Sequence, residues 1–285
     1  MEPQKPTDVP PIEDWSQLLD GRVAVVTGGG DGIGGAISRL FAAHGARVEI
    51  AELDPARAER AVSDIEAAGG SARAHVLDVC EDTAVAELRE AVLAEHGGID
   101  VLVNNVGDYR PLVPFRKSSP ESWDAMYRIN LHHVFAVTQA FLNSMIERGA
   151  GSIVNIHSVE GMRGYPGEPV YAAMKAAVAH FTTSLAAGYG RQGIRANGIG
   201  TDLCQTPQVD YLAGSEQDQA LWPSWAPIGR VGWPEEQARV ALFLASSLSS
   251  YVTGHNIPVD GGTRAGGGWF FSPQAGRFVN RPTGL

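Results

Sequence analysis

Short runs of almost wholly apolar residues alternate with amphipathic helical stretches from Gly21 onward, and this alternation constrains the fold more than any other feature. The runs are RVAVVTG, ARVEIAEL, SARAHVLDV, IDVLVNNVG, GSIVNIHS, GIRANGIG and HNIPVDGG. Between them lie IGGAISRLFAAHG, DPARAERAVSDIEAAGG, TAVAELREAVLAEHGG, a long helical stretch over Val170–Gly190, and PEEQARVALFLASS. A strand that is apolar on both sides needs cover on both faces, which only a parallel sheet with helices above and below supplies. Crossovers in such a sheet are right-handed, and ligands bind outside the carboxyl ends of the strands. The expected fold is therefore α/β: a doubly wound parallel sheet in three α/β/α layers, forming a single domain. Asp54 followed by Pro55 marks the start of one helix, and the Gly-Gly pair after Ala68 marks its end.

Composition narrows the partners. The 285 residues carry a net charge of −10 and no basic run, which argues against nucleic acid or an anionic membrane as a partner. No apolar run approaches the roughly 20 residues that span a bilayer. Cys80 and Cys204 lack metal-ligand spacing and read as reduced thiols, so no metal is expected. With no secretion signal in MEPQKPTDVPPIEDW, a cytoplasmic protein is expected. The Pro-rich residues 1–19 read as a flexible arm with Trp15 as its one candidate anchor. Residues 20–262 read as the catalytic domain, with a substrate lid at about 202–230, and residues 263–285 as a C-terminal extension.

The stretch TGGGDGIGG, Thr27 to Gly35, follows the first strand and opens the first helix. In that context Gly28, Gly32 and Gly34 let the backbone approach a pyrophosphate, held by N–H groups and the helix dipole. A plain turn in a glycine-rich protein is the alternative. Glu52 ends the next strand, where a dinucleotide fold places an acid for the adenosine ribose hydroxyls. Asp31 adds a second negative charge. At ~6 Å and an effective dielectric near 20, each acid disfavours a singly charged 2′-phosphate by roughly 3 kcal/mol. No Arg stands nearby in the loop, so the expected cofactor is NAD.

Tyr171 and Lys175 are four apart in a helical stretch and share one face. An ammonium beside a phenol favours phenolate and lowers its pKa from about 10. Such a Tyr can exchange a proton with an alcohol or ketone while hydride moves at the carbon.

The ordered set TGGGDGIG, LDV at Leu77–Val79, NNVG at Asn104–Gly107, Asn130, Ser158, YAAMK and YVTGHNIPVDGG resembles the short-chain dehydrogenase/reductase family across residues 20–262. The resemblance implies a Rossmann-type fold and a catalytic set of Asn130, Ser158, Tyr171 and Lys175. In it Ser158 hydrogen-bonds the substrate oxygen, and Asn130 holds a water that relays protons to Lys175. It also implies that Asp78 contacts the adenine and that Asn105 and Gly107 contact the adenosine ribose. Ile33, Leu53, Val79, Thr201, Cys204 and Thr206 would also lie along the cofactor. Asn104 is expected to tie strands together. Family members commonly form symmetric tetramers, so a homotetramer or homodimer is expected. Trp269, Phe270 and Phe271 in the extension are candidates for a subunit interface; a disordered tail is the alternative.

The sequence departs from the family where Thr201-Asp202 replaces Pro-Gly. Asp202 either repels a charged substrate or caps the next helix, and the cap is favoured. Glu160 on its loop is expected to be solvated, and His157 to face into packing. Val209, Tyr211, Leu212, Leu221, Trp222 and Trp225 in the lid, opposite Met162 and Tyr165, suggest an uncharged, fairly hydrophobic substrate, cyclic frames included. The expected function is an NAD-dependent oxidoreductase acting on a secondary alcohol or ketone. The alternative is a catalytically silent NAD-binding scaffold or regulator of the same fold.

Overall fold

The structure is a computed structural model that describes residues 14–220, 226–267, 270–272 and 277–279. The strands β1 (Val23–Thr27), β2 (Arg47–Glu52), β3 (Ser71–Val76), β4 (Val101–Asn104), β5 (Gly151–Ser158), β6 (Ile194–Thr201) and β7 (Asn256–Val259) form one sheet in the order 3-2-1-4-5-6-7. Every pairing in it is parallel. Chain order reverses between β1 and β4, the switch point at which doubly wound sheets open a crevice for dinucleotides.

Helices cover both faces. Helices α1 (Gly32–Ala43), α2 (Pro55–Ala67) and α8 (Pro234–Ala245) bury Ile37, Phe41, Ile65 and Leu244 against one face. Helices α3 (Asp82–His96), α5 (His133–Arg148) and α6 (Pro169–Tyr189) bury Leu88, Val92, Phe141 and Leu185 against the other. Within β1, Val23 and Val25 face the second cluster while Ala24 and Val26 face the first, as the two-residue side-chain period requires. The edge strand β3 has one neighbour and alternates exposed with half-buried positions, so it is less apolar than the central strands. Asp54 caps α2 by accepting from the backbone N–H groups of Ala56 and Arg57. Gly97 and Gly149 end α3 and α5 at φ of 68° and 67°, where a side chain would be strained.

Three features were not anticipated. The sequence reading placed no element between the fourth and fifth strands, yet α4 (Pro120–Tyr127), a π-helical turn at Arg128–His132 and α5 lie there. Among the described N-terminal residues Trp15 anchors nothing, being 66% exposed; Leu19 is buried in the core, and its N–H donates to the His44 carbonyl. In the extension, α9 (Thr263–Gly266) is followed by β8 (Phe270–Ser272) and β9 (Arg277–Val279), paired antiparallel. Trp269, Leu221, Trp222 and Trp225 lie outside the described residues, as do the side chains of Phe270 and Phe271. A short helix α7 (Glu216–Ala220) stands in the expected lid segment. No described helix is long and apolar enough to cross a membrane.

Candidate active site

A cleft of about 920 Å³ opens at the carboxyl ends of the strands. At one end the glycine loop turns with Gly28 and Gly32 at φ of 61° and 56°. A Cβ at Gly34 would overlap the Gly28 carbonyl, so α1 can pack this close only without a side chain there. Asp31 caps α1, accepting from Gly32 N at 2.7 Å. Glu52 is held by three backbone donors: Gly30 N (3.0 Å) to Oε2, and Leu53 N (3.0 Å) and Asp54 N (3.2 Å) to Oε1. Asn105 donates its Nδ2 to the carbonyls of Thr27 (3.1 Å) and Gly28 (3.3 Å), clamping the loop to β4. Contrary to the expectation of no Arg near Asp31, one stands beside it. Arg57, one turn into α2, lines the cleft with its Nε 3.9 Å from Asp31 and 3.8 Å from Asp54.

At the other end β5 delivers Ser158, and α6 delivers Tyr171 and Lys175 one turn apart. The Lys175 Nζ lies 5.6 Å from the Tyr171 ring centroid. Tyr109 and Tyr165 each meet the Tyr171 ring edge-on at 6.1 Å. Ser158 Oγ donates to the Thr201 carbonyl (3.3 Å) and accepts from Glu160 N (3.1 Å). Asn130 sits fully buried in the π-helical turn, a distortion that recurs at functional sites. Its Nδ2 donates to Asp108 O (2.7 Å) and Met126 O (3.2 Å), while its Oδ1 accepts from Asp108 N (3.2 Å). A Cβ added at Gly107 would meet Lys175 Nζ at 2.5 Å and Asn130 Oδ1 at 3.0 Å, so the two side chains converge on that glycine.

The electrostatics differ from the expectation for Tyr171. Burial pushes its phenol up from the ordinary range, against the Ser158 hydrogen bond, and the charges of Glu160 and Asp202 push the same way. Burial pulls Lys175 down to about 8, opposed by the Asp108 charge. The phenol thus holds its proton in this state, as a group that donates to a carbonyl oxygen must. Burial also lowers His157 to about 4 and keeps it neutral; it packs in the core and lines the cleft wall.

Two loop acids differ from expectation. Asp202 does not cap a helix: it is buried and accepts from Arg163 Nη2 (2.8 Å), Thr263 Oγ1 (2.6 Å) and Leu203 N (2.9 Å). Glu160 is not solvated: it is 7% exposed and paired with Arg163 at 2.9 Å. Asn104 ties strands as expected, donating to Asn155 Oδ1 (2.8 Å) and Thr138 Oγ1 (3.0 Å).

Of the residues expected at the site, Gly28, Asp31, Gly32, Ile33, Glu52, Asn105, Gly107, Ser158, Tyr171, Lys175, Thr201, Cys204 and Thr206 line one cleft. Gly34, Leu53, Asp78, Val79 and Asn130 do not line it; Leu53 is exposed, and Asp78 accepts from Cys80 N at 2.9 Å. Val209 and Tyr211, in the segment expected to form a lid, line it, and Leu212 is exposed. Arg57, Asp108 and Tyr109 also line the cleft and were not anticipated; the latter two directly follow NNVG, a position from which they could have been found. The donor set fits a nicotinamide dinucleotide: a side-chain-free cradle, a helix N-terminus and a strand-end carboxylate. When bound, that group supplies or accepts hydride.

The doubly wound sheet brings the glycine cradle and Ser158, Tyr171 and Lys175 to one cleft. The family described as Enoyl-(Acyl carrier protein) reductase matches residues 28–264. The 3-oxoacyl-[acyl-carrier-protein] reductase FabG of Thermotoga maritima is 41% identical over 244 residues, 86% of this chain and 98% of that protein. A gluconate 5-dehydrogenase from Burkholderia cenocepacia, solved with NADP and tartrate, has TM-score 0.81 and 36% identity over 88% of this chain and 98% of its own. A 7α-hydroxysteroid dehydrogenase, solved with NADH and 7-oxo glycochenodeoxycholic acid, has TM-score 0.82 and 30% identity over the same shares. The chain belongs to the short-chain dehydrogenase/reductase family of oxidoreductases.

Proposed function

We propose that the protein is an NAD(H)-dependent oxidoreductase interconverting a secondary alcohol and a ketone, with Tyr171 as acid and base. The observation that carries this is the convergence of Ser158, Tyr171 and Lys175 on one cleft that also holds the glycine cradle and Glu52. In the reductive direction Ser158 and Tyr171 hold the carbonyl oxygen. Tyr171 gives it the phenolic proton as the carbonyl carbon gains hydride, and the phenolate left behind is stabilised by the Lys175 ammonium. Asn130 holds the backbone of Asp108 against Lys175 and positions a water for proton return.

The cofactor reading rests on charge. Asp31 and Glu52 line the adenosine end together with Arg57, whose Nε lies 3.9 Å from Asp31, so two acids against one guanidinium disfavour a 2′-phosphate. The solved relatives include one with NADP and one with NADH, so these local residues decide. The substrate is uncharged and fairly hydrophobic, its body set against Tyr109, Tyr165, Tyr211 and Leu112. Residues 20–262 form the catalytic domain, about 202–230 its lid, and 263–285 an extension. The assembly is a homotetramer or homodimer in the cytoplasm.

The test is absorbance at the NADH band with a panel of cyclic and aryl ketones. NADH should exceed NADPH by about tenfold or more in kcat/KM, because Arg57 offsets part of the acidic field. Glu52→Ala should narrow the preference. Equal use of both cofactors contradicts the assignment of NAD, and binding without turnover of any ketone favours the scaffold.

A further inference from the structure

The Tyr171 ring stands between two further aromatic rings. Tyr109 and Tyr165 each meet it edge-on, with centroids 6.1 Å apart and planes at 70°. In such pairs the positive edge of one ring faces the negative face of the other, which favours one mutual orientation. Tyr109 comes from the loop after β4 and Tyr165 from the loop after β5, and all three rings line the cleft.

Both flanking rings are themselves held. Asn130 Oδ1 accepts from Asp108 N (3.2 Å), and its Nδ2 donates to Asp108 O (2.7 Å). Arg110 folds back on the same residue, its backbone N donating to Asp108 Oδ1 (2.9 Å) and its Nη2 to Oδ2 (2.9 Å). Tyr109 therefore sits between two pinned neighbours. On the other side, a Cβ at Gly167 would come within 2.9 Å of the Tyr165 ring, so that ring packs directly on the backbone.

What needs this bracket is the plane of the Tyr171 ring. The χ2 torsion of a Tyr is broad, so α6 fixes where the side chain starts and not how its ring lies. The phenolic oxygen sits on the χ2 axis and stays in place as the ring turns. The O–H bond, conjugated with the ring, keeps to the ring plane and turns with it. Giving a proton to a carbonyl oxygen requires that bond to be aimed. Resting on the proposed reaction at Tyr171, we infer that Tyr109 and Tyr165 are positioning residues whose rings set the plane of the Tyr171 ring and so aim its proton.

The test has two readouts. In the enzyme without substrate, tyrosine-selective ring labelling is read by NMR, with the Tyr171 signal identified by its loss in Tyr171→Phe. Tyr109→Leu should shift that signal, because a neighbouring ring current is lost, and Tyr109→Phe should hold it near its wild-type position. In turnover of the best ketone with NADH, Tyr109→Leu should lower kcat by about tenfold with KM for NADH within about twofold. Tyr109→Phe should recover most of that loss. Tyr165→Leu, tested separately so that one folding failure does not end the experiment, should act in the same direction. A Tyr171 signal that neither Leu variant moves overturns the inference. So does a kcat loss as large in Tyr109→Phe as in Tyr109→Leu, which would assign the effect to the hydroxyl, or a loss confined to KM for the ketone, which would make Tyr109 a substrate contact. If the wild type reduces no ketone, the proposed reaction fails, and the ring signal still decides whether the bracket sets the plane.

Discussion

In the proposed reaction, Lys175 sets the pH range in which Tyr171 can work. Burial lowers its ammonium to about 8, so the charged form dominates below that value and the neutral form above it. The cation matters at the instant Tyr171 gives up its proton, because a buried phenolate needs an opposite charge beside it, and Lys175 Nζ lies 5.6 Å from the ring centroid. Ketone reduction should therefore hold level at neutral pH and fall as pH rises through about 8. Lys175→Arg should move that falling limb upward, since a guanidinium stays protonated. A kcat/KM profile flat through this range in the wild type would contradict the role. Tyr171 and Lys175 were legible in sequence from their spacing. The direction of the Tyr171 shift was not, because burial and the charges of Glu160 and Asp202 arise only from tertiary placement.

At the scale of elements, the glycine loop and the start of α1 act as one part. Gly34 has no room: a Cβ there would overlap the Gly28 carbonyl and approach the Asn105 side chain. Gly188 is the opposite case, an exposed position inside α6 with nothing within 4 Å of an added Cβ. Gly34→Ala should cost about 1–3 kcal/mol and weaken NADH binding, because α1 must shift away from the loop it braces. Gly188→Ala should raise stability by about 0.5–1 kcal/mol through backbone entropy alone. Paired thermal melts and NADH titrations check both, and equal effects of the two substitutions would contradict the packing argument. The strands were legible because they are apolar on both sides. The segment between β4 and β5 was not: its π-helical turn interrupts the 3.6-residue period, and the loop before Ser119 has no period to read. The Asp202–Arg163–Glu160 cluster joins residues 39 apart in sequence and had no local signature.

For the molecule as a whole, two buried histidines tie stability to pH. Burial lowers His133 to about 3 and His157 to about 4, from 6.5 in the unfolded chain. Both are neutral when folded, and the unfolded chain binds their protons first as pH falls. Their contribution is therefore fully present above about 6.5 and is lost as pH drops from there toward 4 and 3. The melting temperature should decline through that window, and His157→Asn should flatten the decline. An unchanged slope in that variant would place the acid sensitivity elsewhere. The fold class was legible at this scale because apolar strands alternating with amphipathic helices require a parallel sheet covered on both faces. The strand order 3-2-1-4-5-6-7 was not, because alternation alone admits more than one doubly wound order.

The central claim is that Tyr171 moves the proton in a cleft whose cofactor end works independently of it. Tyr171→Phe removes one oxygen and leaves the ring packed between Tyr109 and Tyr165. With the best ketone of the panel, NADH affinity of the variant, read by fluorescence titration, should stay within about twofold of the wild type. Its kcat should fall by about a hundredfold or more. Wild-type turnover in the Phe variant would show that another group carries the proton and would contradict the assignment.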